Sequence, residues 1–157
     1  MRKSDLPIIL VHPWMTGIDE SHYPVLDLGE SLFGREETLD YLYNLDLLLK
    51  RFQGDVFVFE EKRRIPSTSQ RIQAHGERSS GIYLIPTRPV SSTPNILHSS
   101  VQKEWDNVAG LLAAHSGNFY FAGCSYSPFG GCLSTTYKEL TSRGIQGRFV
   151  RGCCFGR

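Results

Sequence analysis

The stretch from Gly117 to Cys154 constrains the fold more than any other part of the chain. It opens with an apolar, aromatic run, Asn118 to Ala122, which predicts a buried strand. A glycine-studded turn follows, from Gly123 through Cys124, Ser125, Tyr126 and Pro128 to Gly130 and Gly131. Cys132 stands where a helix is predicted to begin, and Leu133, Thr136, Tyr137 and Leu140 recur at helical spacing. Gly144 stops that helix, and Gly147 to Val150 reads as the next strand. Strand, turn, helix and strand in this order make a βαβ unit with a right-handed crossover. Ligands of such units lie at the carboxyl ends of the strands.

The remainder of the chain repeats this alternation. Leu6 to Val11 is a continuous apolar run, as a parallel strand covered on both faces requires. Glu36 to Phe52 predicts a long helix whose apolar face carries Leu39, Leu42, Tyr43, Leu45, Leu49 and Phe52. Its acids come early and Lys50 and Arg51 stand in the last turn, as the helix dipole favours. Asp55 to Glu60 predicts a second strand and Gly81 to Pro86 a third. Glu61 to Ser80 is polar and basic. It reads as a solvated loop, or else as a lid whose Lys62, Arg63, Arg64 and Arg71 meet an anion. Pro89 and Pro94 predict a rigid loop after the third strand. Ser99 or Ser100 is placed to cap a helix over Val101 to Ala114, with Val101, Trp105, Val108, Leu111 and Leu112 facing one way. No repeat or linker divides the chain, so residues 1–157 are expected to form a single domain. The expected fold is a three-layer α/β sandwich with a mostly parallel sheet of about five strands.

Charge and cysteine usage narrow the function classes. With a formal net charge of +1 there is no long-range field for nucleic acid or anionic lipid, so neither is expected as a partner. No apolar run reaches the roughly 20 residues of a membrane span, and the opening MRKSDLPIILVHPW lacks the small-residue end of a cleavable signal. The cysteines stand at 124, 132, 153 and 154, too clustered for a disulfide frame, which implies reduced thiols and a cytoplasmic location. No Cys-x-x-Cys pair occurs, and no metal is expected. Neither a P-loop nor a G-x-G-x-x-G with its downstream acid is present, so no cofactor is expected and the partner is a small-molecule ligand.

Two nucleophiles compete on the glycine-rich turn. Gly123-Cys124-Ser125-Tyr126-Ser127 is similar to the nucleophile elbow of α/β-hydrolases, whose acid and histidine follow the serine in chain order. After Ser125 this chain has no Asp and no His, so that triad cannot be completed. Cys132 is the second candidate. A helix N-terminus stabilises a thiolate and lowers its pKa, and the N–H groups at Gly131 and Cys132 are placed to receive an oxyanion. A cysteine near a helix start also suits a small buried apolar residue.

Gly123, Gly131-Cys132-Leu133, Thr135 or Thr136, Gly144 and Gly152-Cys153 together resemble the cysteine region of the isochorismatase-like hydrolases (the nicotinamidase and isochorismatase superfamily). In that family the first strand ends in a catalytic Asp and the third in a catalytic Lys followed by Ser. Here Val11-His12-Pro13-Trp14 brings His12 to the first position, and Thr87-Arg88-Pro89 brings Arg88 to the second, with Ser91 behind it. The resemblance implies a cysteine hydrolase acting on an amide or related C–N bond through a thioester, commonly as a homo-oligomer. His12 would activate Cys132, Arg88 would bind an anionic or carbonyl group, and Trp14, Gly131 and Ser91 would contact the substrate. Trp14 also suits packing at the rim of the core. The alternative is a catalytically inactive relative that binds a small ligand or a protein through the same cleft.

Overall fold

A computed structural model of the chain describes residues 6–14, 35–75, 81–88, 96–97, 101–126 and 131–156. Its elements, in chain order, are β1 (Ile8–Val11), α1 (Arg35–Arg51), β2 (Val56–Glu61), a 3₁₀ turn (Lys62–Arg64), α2 (Ile65–Gln73), β3 (Ile82–Thr87), α3 (Val101–Ala113), β4 (Asn118–Tyr126), α4 (Cys132–Thr141) and β5 (Gln146–Gly156). The five strands form one sheet in the order β3-β2-β1-β4-β5, and every neighbouring pair is parallel. This is the three-layer α/β architecture that the alternating pattern implies. No described helix is long and apolar enough to cross a membrane.

The sheet separates two apolar clusters. Ile9, Val11, Phe57, Phe59, Phe119 and Phe121 pack under α3 and α4, against Trp105, Leu112, Leu133 and Leu140. Ile8, Leu10, Val56, Val58, Ala122 and Cys124 pack on the opposite face, against Tyr41, Leu45 and Leu49 of α1 and Ile72 of α2. Because side chains alternate along a strand, β1 and β2 must be apolar at every position to feed both clusters, which explains their unbroken runs.

Three expectations need correction. Residues 61–80 are not simply a loop, because Lys62–Arg64 make one 3₁₀ turn and Ile65–Gln73 an α-helix. Pro66 falls in the first turn of that helix, where its missing N–H is no loss. Only Thr68 and Ile72 of α2 are buried, too few for a periodic stripe. On α1, Leu39 and Tyr43 are exposed, while Tyr41, Leu45, Leu49 and Phe52 follow the buried stripe. On α3, Leu111 is rotated outward and Leu112 is buried. Of the remaining expectations, the cap at Ser99 or Ser100 lies outside the described residues.

The strand order fixes the topological switch point of the sheet. From β1 the chain builds outward to β2 and β3, then returns to place β4 on the other side of β1. The crevice at the carboxyl ends of β1 and β4 is therefore the topological switch point. Gly123 allows the two strands to meet there. It has a φ of 122°, and a Cβ on it would lie 2.1 Å from the Val11 carbonyl oxygen, so no other residue fits.

Candidate active site

Polar groups gather where β1, β2 and β3 end. Val11 pairs with Phe59 across the β1–β2 ladder, and Glu61 pairs with Thr87 across β2–β3. His12 extends β1 by one residue, its N–H donating to the Phe59 carbonyl at 2.8 Å. Its backbone turns left-handed there, at a φ of 40°. The ring then reaches past β2, and Nε2 lies 2.9 Å from Thr87 Oγ1 at the tip of β3. Nδ1 is buried and has no hydrogen-bond partner among the described residues. Burial, and secondarily the Arg64 guanidinium, depress the His12 pKa to about 3, so the ring is neutral.

Consecutive carboxylates close β2, and strand alternation sends them to opposite faces. Glu60 turns toward α2. Its Oε1 accepts the Thr68 hydroxyl at 2.6 Å and its Oε2 accepts the Glu61 N–H at 3.0 Å. Burial pushes its pKa up to about 7 despite these bonds. Glu61 shares the face of Phe59, toward α3 and α4, and its Oε2 lies 3.3 Å from Arg64 Nε. Both carboxylates are almost fully buried.

Cys132 is the first residue of α4, on the same side of the sheet as Glu61. Gly131 precedes it at a φ of 127°, and its carbonyl accepts the first bond of the helix, from Thr135 N–H at 2.8 Å. The amides ahead of Thr135 are those a helix leaves for other acceptors. The Thr136 hydroxyl donates to the Cys132 carbonyl at 2.7 Å, which places that threonine in the backbone of the turn. The sulfur is not the prepared thiolate that its helical position suggests. Burial first, then Glu61 and Glu60, push the thiol up to about 12.

The sequence-derived set is therefore only partly gathered. His12 and the tip of β3 meet, but through Thr87; Arg88 is the next residue, half-buried, its N–H donating to the Ile96 carbonyl at 2.7 Å. The cation that acts on the His12 ring is Arg64. Trp14 packs on the α1 and α2 face, opposite Cys132. There it stacks on His75 at 6.3 Å between ring centroids, with the Arg71 guanidinium 5.4 Å from its own. Trp14 is thus a packing residue in this arrangement. Ser91 lies outside the described residues. Glu60, Glu61 and Thr87 were not singled out from the sequence, and Arg64 was named there only as one cation of a lid over residues 61–80. The available signal was a pair of acids ending a strand with no polar residue before them.

Among the described residues, no three His, Cys, Asp or Glu side chains converge as a metal would require. The chain matches no protein-family model, no curated protein and no solved structure.

Proposed function

We propose that the chain is a cysteine-dependent hydrolase that cleaves an amide or related C–N bond of a small molecule, with Cys132 as nucleophile and Glu61 as its base. The observation that carries this reading is the shared location of the two groups. Strand alternation puts Glu61 on the face of Phe59, which also carries Cys132, and after burial its charge is the next cause that raises the thiol. A thiol held at about 12 is protonated at rest, so its chemistry calls for a base that takes the proton as the bond forms.

In this mechanism the Cys132 proton passes to the Glu61 carboxylate while sulfur attacks the carbonyl carbon. The amides at the start of α4 receive the oxyanion. Collapse breaks the C–N bond, Glu61 returns the proton to the leaving nitrogen, and a thioester remains. Water then attacks the thioester, giving one proton to Glu61. The carboxylic acid leaves and the proton returns to sulfur. Arg64, 3.3 Å from Glu61, holds the carboxylate in place throughout.

The test is ammonia or amine release from a panel of small carboxamides and carbamoyl compounds. Cys132→Ala is expected to abolish turnover, and Glu61→Gln to lower kcat by about 10²–10⁴-fold, the usual range for a removed general base. Turnover that persists in Cys132→Ala ends the proposal. The burial of residue Cys132, 5% exposed, favours a second reading, a protein that binds through this cleft without turnover. Saturable binding with no product release by the unmodified chain would select it.

A further inference from the structure

His12 has a half-completed set of hydrogen bonds. Nε2 meets Thr87, whereas Nδ1 has no partner among the described residues although the side chain is 1% exposed. A buried nitrogen left in this state costs about 1–3 kcal/mol. The same residue holds a left-handed backbone, which is uncommon outside glycine. Two unfavourable terms fall on one side chain beside the crevice between β1 and β4, where ligands of such sheets bind. Contact with a ligand would give Nδ1 the partner it lacks among the described residues.

We propose that His12 is a ligand-binding residue whose Nδ1 hydrogen-bonds an uncharged amide- or alcohol-type group. A neutral imidazole has one N–H and one lone pair. If the Thr87 hydroxyl donates to Nε2, Nδ1 carries the proton and meets an oxygen of the ligand. If Nε2 donates to Thr87, Nδ1 accepts from a ligand N–H or O–H. Amides and alcohols can supply either partner, whereas a carboxylate can only accept. Burial and the Arg64 guanidinium keep the ring neutral, so it does not act as the cation an anionic ligand would seek. His12 then has a role other than base, one that needs no turnover.

The experiment uses the Cys132→Ser chain, which cannot pass through the thioester, with its histidines labelled with ¹⁵N. The probes are acetamide and acetate, which share a shape and differ in charge. The chain has five histidines, and His12 is assigned as the pair of nitrogen resonances lost in His12→Asn. The expected result is a neutral His12 ring at pH 7 whose Nδ1 resonance moves with acetamide and not with acetate. Thr87→Val, which releases Nε2, should weaken the acetamide response about tenfold, the effect of one lost hydrogen bond. An Nδ1 resonance that stays fixed up to molar acetamide, or one that acetate moves equally, overturns the proposal. Failure of the amide hydrolysis assay leaves this measurement unaffected, so the two claims fail separately.

Discussion

Glu60 and His12 are both driven toward neutrality by burial, from opposite sides. The carboxyl rises from 4.5 to about 7 and the imidazole falls from 6.5 to about 3. Their contributions to stability therefore have opposite slopes. His12 binds its proton less well when folded, so its contribution rises with pH from about 3 to 6.5. Glu60 binds its proton better when folded, so its contribution falls with pH from 4.5 to about 7. Between 4.5 and 6.5 the two oppose each other. Glu60→Gln removes the falling part, so this variant should gain stability relative to the parent as pH rises through that window, by up to about 3 kcal/mol. His12→Asn should do the reverse. Urea unfolding at pH 4.5, 5.5 and 6.5 measures both, and curves parallel to the parent's would refute the assignment. Neither carboxylate was legible in the sequence. Acids at a strand end read as solvated unless the partner that buries them is known, and Thr68 and Arg64 fell in a stretch that read as a loop.

That stretch shows what element-level reading misses. Strands β1, β2 and β3 and helices α1 and α3 were legible because a two-sided sheet and its covering helices demand apolar residues at fixed intervals. Helix α2 makes no such demand. It buries only Thr68 and Ile72, and one of its polar attachments is the Thr68 hydroxyl on Glu60. Thr68→Val keeps the shape and deletes that bond. At pH 8, where Glu60 is ionised, the loss should be about 1.5–3 kcal/mol, as for a hydrogen bond to a charged group. The same bond holds the Glu60 pKa down, so the variant's carboxyl should titrate higher still. Unfolding curves of the variant with and without Glu60→Gln separate the hydrogen bond from simple loss of packing. An equal loss in both backgrounds would show that Thr68 acts through packing alone.

Across the whole molecule, β1 is flanked by β2 and β4, buried at all four positions and covered on both faces. β3 and β5 lie at the sheet edges and are largely half-exposed. Amide exchange should be slowest in β1 and the adjoining part of β4 and faster by orders of magnitude in β3 and β5, since edge strands open without global unfolding. Uniform protection across the five strands would contradict this. The alternation of elements in the sequence announced a parallel sheet, but not the order of its strands, which depends on contacts between distant residues. The electrostatics of Cys132 were hidden for the same reason. The start of a helix is a local feature, whereas the burial that raises the thiol, and the β2 acids that add to it, depend on residues distant in sequence.

The left-handed turn at residue 12 limits which side chains that strand tip can carry. Glycine takes such a backbone freely, and asparagine, aspartate and histidine are the other residues enriched there, whereas branched side chains are outliers. The aspartate that the resemblance to isochorismatase-like hydrolases would put at this tip is among them. An aspartate at residue 12 would suit this backbone, but the burial that keeps the imidazole neutral would also push its carboxyl toward the neutral form.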